Sequence, residues 1–337
     1  MADDANIEDF LQAAVDEKAS DIHIKNNMPV ILRKQGVLES ITEEPINASE
    51  IDAIINTLLI PEKVEEFTRE KQADSSYSYR GNRFRVNTFR DENGVSLAIR
   101  VIPKEILSVE KVGFPYKEIW QDITEMTKGL VLVCGATNSG KSTTNAALIQ
   151  RINETRGEHI VTIEDPIEYL YSGGQSIISQ REIGRHVTSF EKGLEAALRE
   201  DPNVLLIGEI KNNETAKIAL QAANSGHLVF TTLHSGDCGQ AIWEYASRFP
   251  SEEQESARKQ LADSLKYVLC QRLIPYEPGE KRTLIMEVAN VNKSGAVRNM
   301  IRKGEYNNIV DQISREKATY SVTMAQHAKM LNLKVEE

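Results

Sequence analysis

The stretch Gly135-Ala136-Thr137-Asn138-Ser139-Gly140-Lys141-Ser142 fits the pattern G-x-x-x-x-G-K-[ST], and it follows directly on the apolar run Leu130-Val131-Leu132-Val133-Cys134. Eight residues match such a pattern by chance in unrelated chains, so the flanks decide. The Val/Leu run reads as a buried strand, and Thr143-Thr144-Asn145-Ala146-Ala147-Leu148-Ile149-Gln150 reads as a helix. A glycine-rich turn between the two lets backbone N–H groups face a phosphate, with the positive end of the helix behind them. Lys141 is then placed to neutralise β and γ oxygens. Ser142, with Thr143 beside it, is placed to offer a hydroxyl to Mg²⁺, a cation that takes oxygen ligands. Asn138 stands where the loop can require positive φ, which asparagine tolerates better than most residues.

Working outward, apolar strands alternate with helices from Gly113-Phe114-Pro115 onward. The patterns predict strands at 129–134, 159–164, 203–208 and 227–233, and helices at 141–153, 189–200, 213–225 and 238–247. Such alternation implies a parallel sheet with helices on its faces. From 251 the chain reads as mostly helical, broken by the strand-like Thr283-Leu284-Ile285-Met286-Glu287-Val288. Upstream, 7–17 has helical spacing, Asp21-Ile22-His23-Ile24 alternates, and Pro29 to Arg33 followed by Gly36 suggests a hairpin. Arg83 to Phe89 alternates again, turns at Glu92-Asn93-Gly94, and returns through Val95 to Arg100. The expected organisation is a small α+β domain over 1–104, a linker over 105–118 near Pro103 and Pro115, and a nucleotide-binding α/β domain over 119–337.

Composition narrows the class. A chain of 337 residues with 40% hydrophobic and 27% charged residues suggests two globular domains. No segment approaches the roughly twenty apolar residues of a membrane span, and Met1-Ala2-Asp3-Asp4 is acidic where a signal peptide is basic. A cytoplasmic location is expected. The net charge of −10 argues against broad binding to nucleic acid, so none is expected as a partner. Cys134, Cys238 and Cys270 lie far apart with no C-x-x-C pair, which supports neither a disulfide framework nor a zinc knuckle. Cys134 reads as a small buried residue.

A triphosphate site needs carboxylates to hold the metal and to orient the attacking water. Two arise where strands end. Glu164 follows Ile160-Val161-Thr162-Ile163, and Glu209 follows Val204-Leu205-Leu206-Ile207-Gly208. Ligands of open α/β sheets bind at the carboxyl ends of strands, so both can face the phosphates. In Gly226-His227-Leu228-Val229-Phe230-Thr231-Thr232-Leu233-His234, His227 opens a strand as a structural residue and His234 closes it, better placed toward a γ-phosphate. Arg83, Arg85, Arg90 and Arg100 concentrate on one hairpin. Alone it reads as a solvated sheet face; in an oligomeric ATPase such arginines can act as fingers, worth roughly 10³- to 10⁵-fold in rate.

Four segments in this order resemble a known family: the loop at 135–144, Thr162-Ile163-Glu164-Asp165-Pro166-Ile167-Glu168, Leu198-Arg199-Glu200-Asp201-Pro202-Asn203 leading to Gly208-Glu209, and Gly226-His227 through His234. They are similar to the Walker A, Asp box, Walker B and His box motifs of the secretion ATPase superfamily of type II secretion and type IV pili. Ala296-Val297-Arg298-Asn299-Met300-Ile301-Arg302 resembles the signature of the pilus retraction branch, although Arg302-Lys303 lacks its terminal glutamate and Lys211 stands where arginine is common.

The resemblance implies a PAS-like N-terminal domain and a RecA-like P-loop ATPase domain with a helical C-terminal section. It implies ATP or ADP with Mg²⁺ held at Gly135, Ala136, Thr137, Asn138, Ser139, Gly140, Lys141, Ser142 and Thr143, the metal taken by Ser142 and Glu209. Glu164 would activate water, His234 would contact the γ-phosphate region, Arg83, Arg85 and Arg100 would serve as fingers, and Arg298, Asn299 and Arg302 would couple hydrolysis to motion. The implied assembly is a homohexamer at the cytoplasmic side of the inner membrane, working with a pilus platform protein and other pilus motor ATPases. The function that follows is retraction of a type IV pilus, with an assembly or secretion motor as the alternative. A noncatalytic, nucleotide-stabilised assembly protein is disfavoured by the intact set of Lys141, Glu164 and Glu209.

Overall fold

A computed structural model describes residues 6–274, 282–316 and 319–333. By its contacts the chain divides into two units. The first runs to Glu105 and takes in two later excursions, Asp165–Leu170 and Glu182–Thr188. The second comprises Ile106–Glu164, Tyr171–Arg181 and the chain from Ser189 onward.

The first unit contains α1 (Ile7–Asp16), β1 (Asp21–Lys25), β2 (Ile31–Lys34), β3 (Val37–Ser40), α2 (Ala48–Leu58), α3 (Pro61–Glu70), β4 (Gln72–Tyr79), β5 (Asn82–Asp91) and β6 (Gly94–Ile102). The strands form one antiparallel sheet in the order β3-β2-β1-β6-β5-β4. Alternation decides which side is dry: Ile22 and Ile24 of β1, Phe84 and Val86 of β5, and Leu97 and Ile99 of β6 share a core with Leu11, Ile51, Ile54 and Phe67 from the helices. Asn47 caps α2 with a full capping box, its side chain accepting from Glu50 N while Glu50 accepts from Asn47 N. The sequence reading found α1, β1, the hairpin beginning at β2, and the β5–β6 pair. It did not place α2 or α3, and it missed β4 because Gln72 to Tyr79 is rich in serine and lacks an apolar stripe.

In the second unit a 3-10 turn (Val109–Lys111) leads into α4 (Lys117–Glu125), β7 (Gly129–Cys134), α5 (Lys141–Thr155), β8 (His159–Glu164), β9 (Ile177–Glu182, whose last residue, Glu182, belongs by its contacts to the first unit), α6 (Phe190–Ala197), β10 (Val204–Ile207), α7 (Asn213–Asn224), β11 (Leu228–Leu233), α8 (Cys238–Ser247), α9 (Gln254–Ser264), β12 (Leu265–Ile274), β13 (Thr283–Asn290), α10 (Gly295–Lys303), α11 (Ile309–Arg315) and α12 (Met324–Met330). Within the stretch 105–118, expected to be a linker, Val109 and Val112 belong to the core of this unit.

Its sheet runs β13-β12-β7-β11-β10-β8-β9. The four predicted strands β7, β8, β10 and β11 pair in parallel with one another, and β12 joins β7 in parallel. On one face Val131, Val133, Ile160, Leu206, Phe230 and Leu269 pack against Ile119 and Ile123 of α4 and Leu148 and Ile152 of α5. The alternate residues Leu130, Leu132, Val161, Leu205 and Val229 are equally buried, so both faces are covered and the strands read as unbroken apolar runs.

Two features correct the sequence reading. The section after 251 is helical in α9, α10, α11 and α12 and is broken by β13 as expected, but it also holds β12, a second strand that enters the sheet. The sheet, moreover, is not purely parallel, since β13 closes that edge antiparallel to β12. Strand β12 was hidden because Leu265, Val268 and Leu269 are spaced as on a helix, directly after α9, and a strand buried on both faces shows no alternation.

Candidate active site

The phosphate-loop residues lie between the last residue of β7 and the first of α5. Gly135 adopts φ +140, Asn138 φ 64 and Gly140 φ 90, so three of the eight residues take positive φ. Gly135 is required twice over: a Cβ there would lie 2.3 Å from Gln271 O and 2.6 Å from Ser139 Oγ. Gln271 of β12 holds the loop from the other direction, its Nε2 donating to Ser139 O over 2.8 Å. Ala136, Thr137 and Asn138 form an exposed crest, Ser139 is buried, and Ser142 is exposed at the helix start. Lys141 Nζ donates back to Gly135 O at 2.7 Å and Ala136 O at 3.0 Å, spanning the loop.

These residues suit a bound phosphate. Helix α5 begins with no side-chain cap and no acidic residue in its first turn, whereas α6, α7 and α8 are capped by Ser189, Asn212 and Asp237. An anion is the natural partner of a helix start left in that condition. The hydroxyl of Ser139, buried inside the loop, finds no hydrogen-bond partner among the described residues. A buried orphan of this kind costs about 1–3 kcal/mol unless something pairs with it.

The three polar candidates follow from strand order. Residues after β7, β11, β10 and β8 stand side by side along the carboxyl edge, so the phosphate loop, His234, Glu209 and Glu164 occur in that sequence. At a strand spacing of roughly 4.8 Å the row is about 14 Å long. His234 Nε2 meets Glu209 Oε1 at 3.1 Å, with both side chains partly open to solvent. Glu164 accepts a hydrogen bond from Thr162 Oγ1 at 2.7 Å. Thr162 and Glu164 are two apart on β8 and therefore share a face, so this partner was legible in the sequence but was passed over. Thr232 Oγ1 donates to Gly208 O at 2.6 Å, tying β11 to the residue before Glu209. Behind that corner, Glu191 accepts from Ser189 and from Asn212 and Thr215 of the α7 start. These hydrogen bonds, that from Ser189 foremost, hold its carboxyl down to about 2.

The remaining candidates fall elsewhere. Arg83, Arg85 and Arg100 lie in the first unit. Arg83 is buried, its Nη2 2.6 Å from Glu182 Oε2. Arg85 and Arg100 are directly opposite each other across β5 and β6 and remain partly exposed, near Asp74 at 3.7 Å and Asp21 at 3.1 Å respectively. Two like charges facing across a ladder repel, and the aspartates offset that. Arg298, Asn299 and Arg302 lie on α10, capped by Ser294 and anchored through Val297 and Ile301. Arg298 donates to Asn292 O at 3.0 Å, Arg302 pairs with Asp263 at 2.6 Å, and Asn299 is exposed.

The three cysteines, distant in sequence, meet at the carboxyl end of β7, where the phosphate loop begins. Cys134 and Cys270 are register partners on β7 and β12, Cys270 faces Glu287 on β13, and Cys238 N donates to Glu287 Oε1 at 2.8 Å. All three thiols are free and fully buried. Burial pushes the Cys238 thiol up to about 12 and raises Cys270 strongly, with Cys134 and Cys238 beside it adding to the effect. Among the described residues no group of histidine, cysteine and carboxylate side chains is arranged to hold a metal ion by itself. Ser142 and Glu209 supply hard oxygen donors of the kind Mg²⁺ takes alongside substrate phosphates.

A family model described as type II/IV secretion system protein matches residues 3–304. The uncharacterized protein YggR of Escherichia coli (strain K12) is 36% identical over 322 residues, covering 95% of this chain and 96% of that protein. The type IV pilus retraction ATPase PilT of Pseudomonas aeruginosa is 36% identical over 299 residues, covering 88% and 86%. A crystal structure of the pilus retraction motor PilT with bound ADP aligns with a TM-score of 0.86 at 34% identity, covering 97% of this chain and 92% of that one. With the phosphate loop, both strand-end glutamates and His234 on one sheet edge, and a match over most of its length, the chain belongs to the type II/IV secretion system protein family, on the branch that holds the retraction ATPase PilT.

Proposed function

We propose that the protein is an Mg²⁺-dependent ATPase, active as a homohexamer, whose hydrolysis cycle powers retraction of a type IV pilus and thereby twitching motility. One observation carries the catalytic part: a triphosphate loop, a histidine and two glutamates end four neighbouring strands of one sheet. In this reading the loop residues Gly135 to Thr143 bind the phosphates and Lys141 neutralises their charge. Glu164, oriented by Thr162, holds the attacking water and takes up its proton. His234, itself held by Glu209, addresses the γ-phosphate region. Bound Mg²⁺, taken by Ser142 and Glu209, would draw charge from the phosphate oxygens. Arg85 and Arg100 form a register-matched cationic pair in the first unit, suited to an anion presented by a neighbouring subunit. The motor would act in the cytoplasm against an inner-membrane platform protein, alongside other pilus motor ATPases, with Arg298, Asn299 and Arg302 on α10 linking turnover to movement.

ATP turnover by purified protein with and without Mg²⁺, beside Glu164→Gln, tests the chemistry. A correctly placed base contributes roughly 10²- to 10⁴-fold, so the variant should bind ATP and hydrolyse it at least a hundred times more slowly. Hydrolysis at the parent rate would refute the assignment. A strain lacking the gene should carry more or longer pili and fail to twitch, whereas bald cells would make the protein an assembly motor. Replacing Arg302 or Asn299 should impair retraction more than turnover.

A further inference from the structure

The chain leaves the second unit immediately after Glu164, and the next six residues, Asp165–Leu170, belong by their contacts to the first. One buried cluster holds them there. Arg83 of β5 donates from Nε to Ile167 O at 2.7 Å, from Nη2 to Glu182 Oε2 at 2.6 Å and to Ser76 Oγ at 2.7 Å, and from Nη1 to Ser78 Oγ at 3.1 Å. Glu182 Oε2 also accepts Ile167 N at 3.1 Å, and Ser76 Oγ lies 2.7 Å from both of its oxygens. Both backbone polar groups of Ile167 are therefore taken by one ion pair. Glu182 is 3% exposed and Arg83 9%. A buried charge pair is retained at a desolvation cost, and breaking it leaves an uncompensated ion. Such a fastening is stiff.

We infer that Arg83 and Glu182 are positioning residues for hydrolysis: by clamping Ile167, three residues beyond Glu164, to the first sheet, they set where the Glu164 carboxylate lies. Arg83 then acts through the backbone rather than as a finger on a phosphoryl group. The inference rests on the reading of Glu164 as the water-orienting carboxylate.

The test compares ATP turnover by the full-length protein with that of Arg83→Lys, Glu182→Gln and the double variant, with Glu164→Gln in parallel. Each single variant should lower kcat about tenfold while KM for ATP stays within twofold, and the double variant should be no slower than the slower single, because both break one clamp. A finger would give a different result, with loss in Arg83→Lys and parent kcat in Glu182→Gln, which would overturn the inference. So would parent kcat in both singles when circular dichroism and ATP affinity match the parent. If either variant fails to fold, Ser76→Ala, which keeps both charges and removes one donor to Glu182, should lower kcat severalfold, and an unchanged kcat would overturn the proposal. Glu164→Gln hydrolysing at the parent rate would instead refute the underlying reading of Glu164, whatever the clamp variants do.

Discussion

Gly135→Ala puts the phosphate loop under a load that can be worked out from its surroundings. At φ +140 an L-residue is strained by about 1–3 kcal/mol. The added methyl carbon would also sit 2.3 Å from Gln271 O and 2.6 Å from Ser139 Oγ. The serine can turn away, but the Gln271 carbonyl belongs to β12, which is paired with both β7 and β13 and cannot yield without disturbing two ladders. Overpacking of this kind costs another ~1–3 kcal/mol, for a total of about 2–6 kcal/mol. The loop can escape by lifting off β12, and recovering its binding shape then costs that same strain. At 1.4 kcal/mol per tenfold, the lower bound alone weakens ATP binding about thirtyfold. Gly226→Ala is the matched control in the same unit, because its φ of +115 is also strained but its Cβ would meet nothing within 4 Å. Titration with a fluorescent ATP analogue, together with thermal melts, separates the two. Gly226→Ala should lower the midpoint modestly and leave affinity intact, whereas Gly135→Ala should lose both. Parent affinity in Gly135→Ala would show that Gln271 does not constrain the loop.

Three further outcomes follow. Thr162→Val removes the hydroxyl that steers Glu164, so kcat should fall about five- to tenfold, corresponding to ~1–1.5 kcal/mol, with KM unchanged; an unchanged kcat would mean that Glu164 needs no such guide. His327 is buried, accepts Met286 N on Nδ1 at 2.8 Å, and is held by burial down to about 4 against an ordinary 6.5. The unfolded chain therefore binds the proton first. Its contribution is complete above about pH 6.5 and is lost as pH falls toward 4, roughly 3 kcal/mol in all. Denaturant titrations at pH 7 and pH 4.5 should show a smaller loss in His327→Gln than in the parent, and equal losses would contradict the assignment. The three buried thiols should ignore a disulfide reagent in the native protein and all react after denaturation, whereas prompt native labelling would contradict their burial.

What could be read from the residues beforehand divides along the range of the interactions. The loop, its strand and its helix are local, and Asn138 takes the positive φ its position demands. Glu164 and Glu209 were legible because each ends an apolar run, and strand ends in such sheets lie on the ligand side. The link between His234 and Glu209 was not, since it depends on β11 and β10 being neighbours, a fact of strand order rather than of spacing. Gln271 was lost with β12, and the gathering of the three cysteines was lost with it, because two of them meet through the pairing of β7 with β12.

Arg83 shows the same limit at its sharpest, because on the alternating strand Arg83-Phe84-Arg85-Val86 it is indistinguishable from Arg85. Both point away from Phe84 and Val86, and both read as a solvated face or a finger. Their fates diverge through a residue 99 positions later, since Glu182 reaches Arg83 and not Arg85. A charge on a sheet face carries no sign of whether the chain will return to bury it. Here it does return, and the segment it brings back is the one leading away from Glu164. In the clamp inferred above Arg83 holds backbone, while Arg85 and Arg100 stay partly exposed beside Asp74 and Asp21 and matched in register.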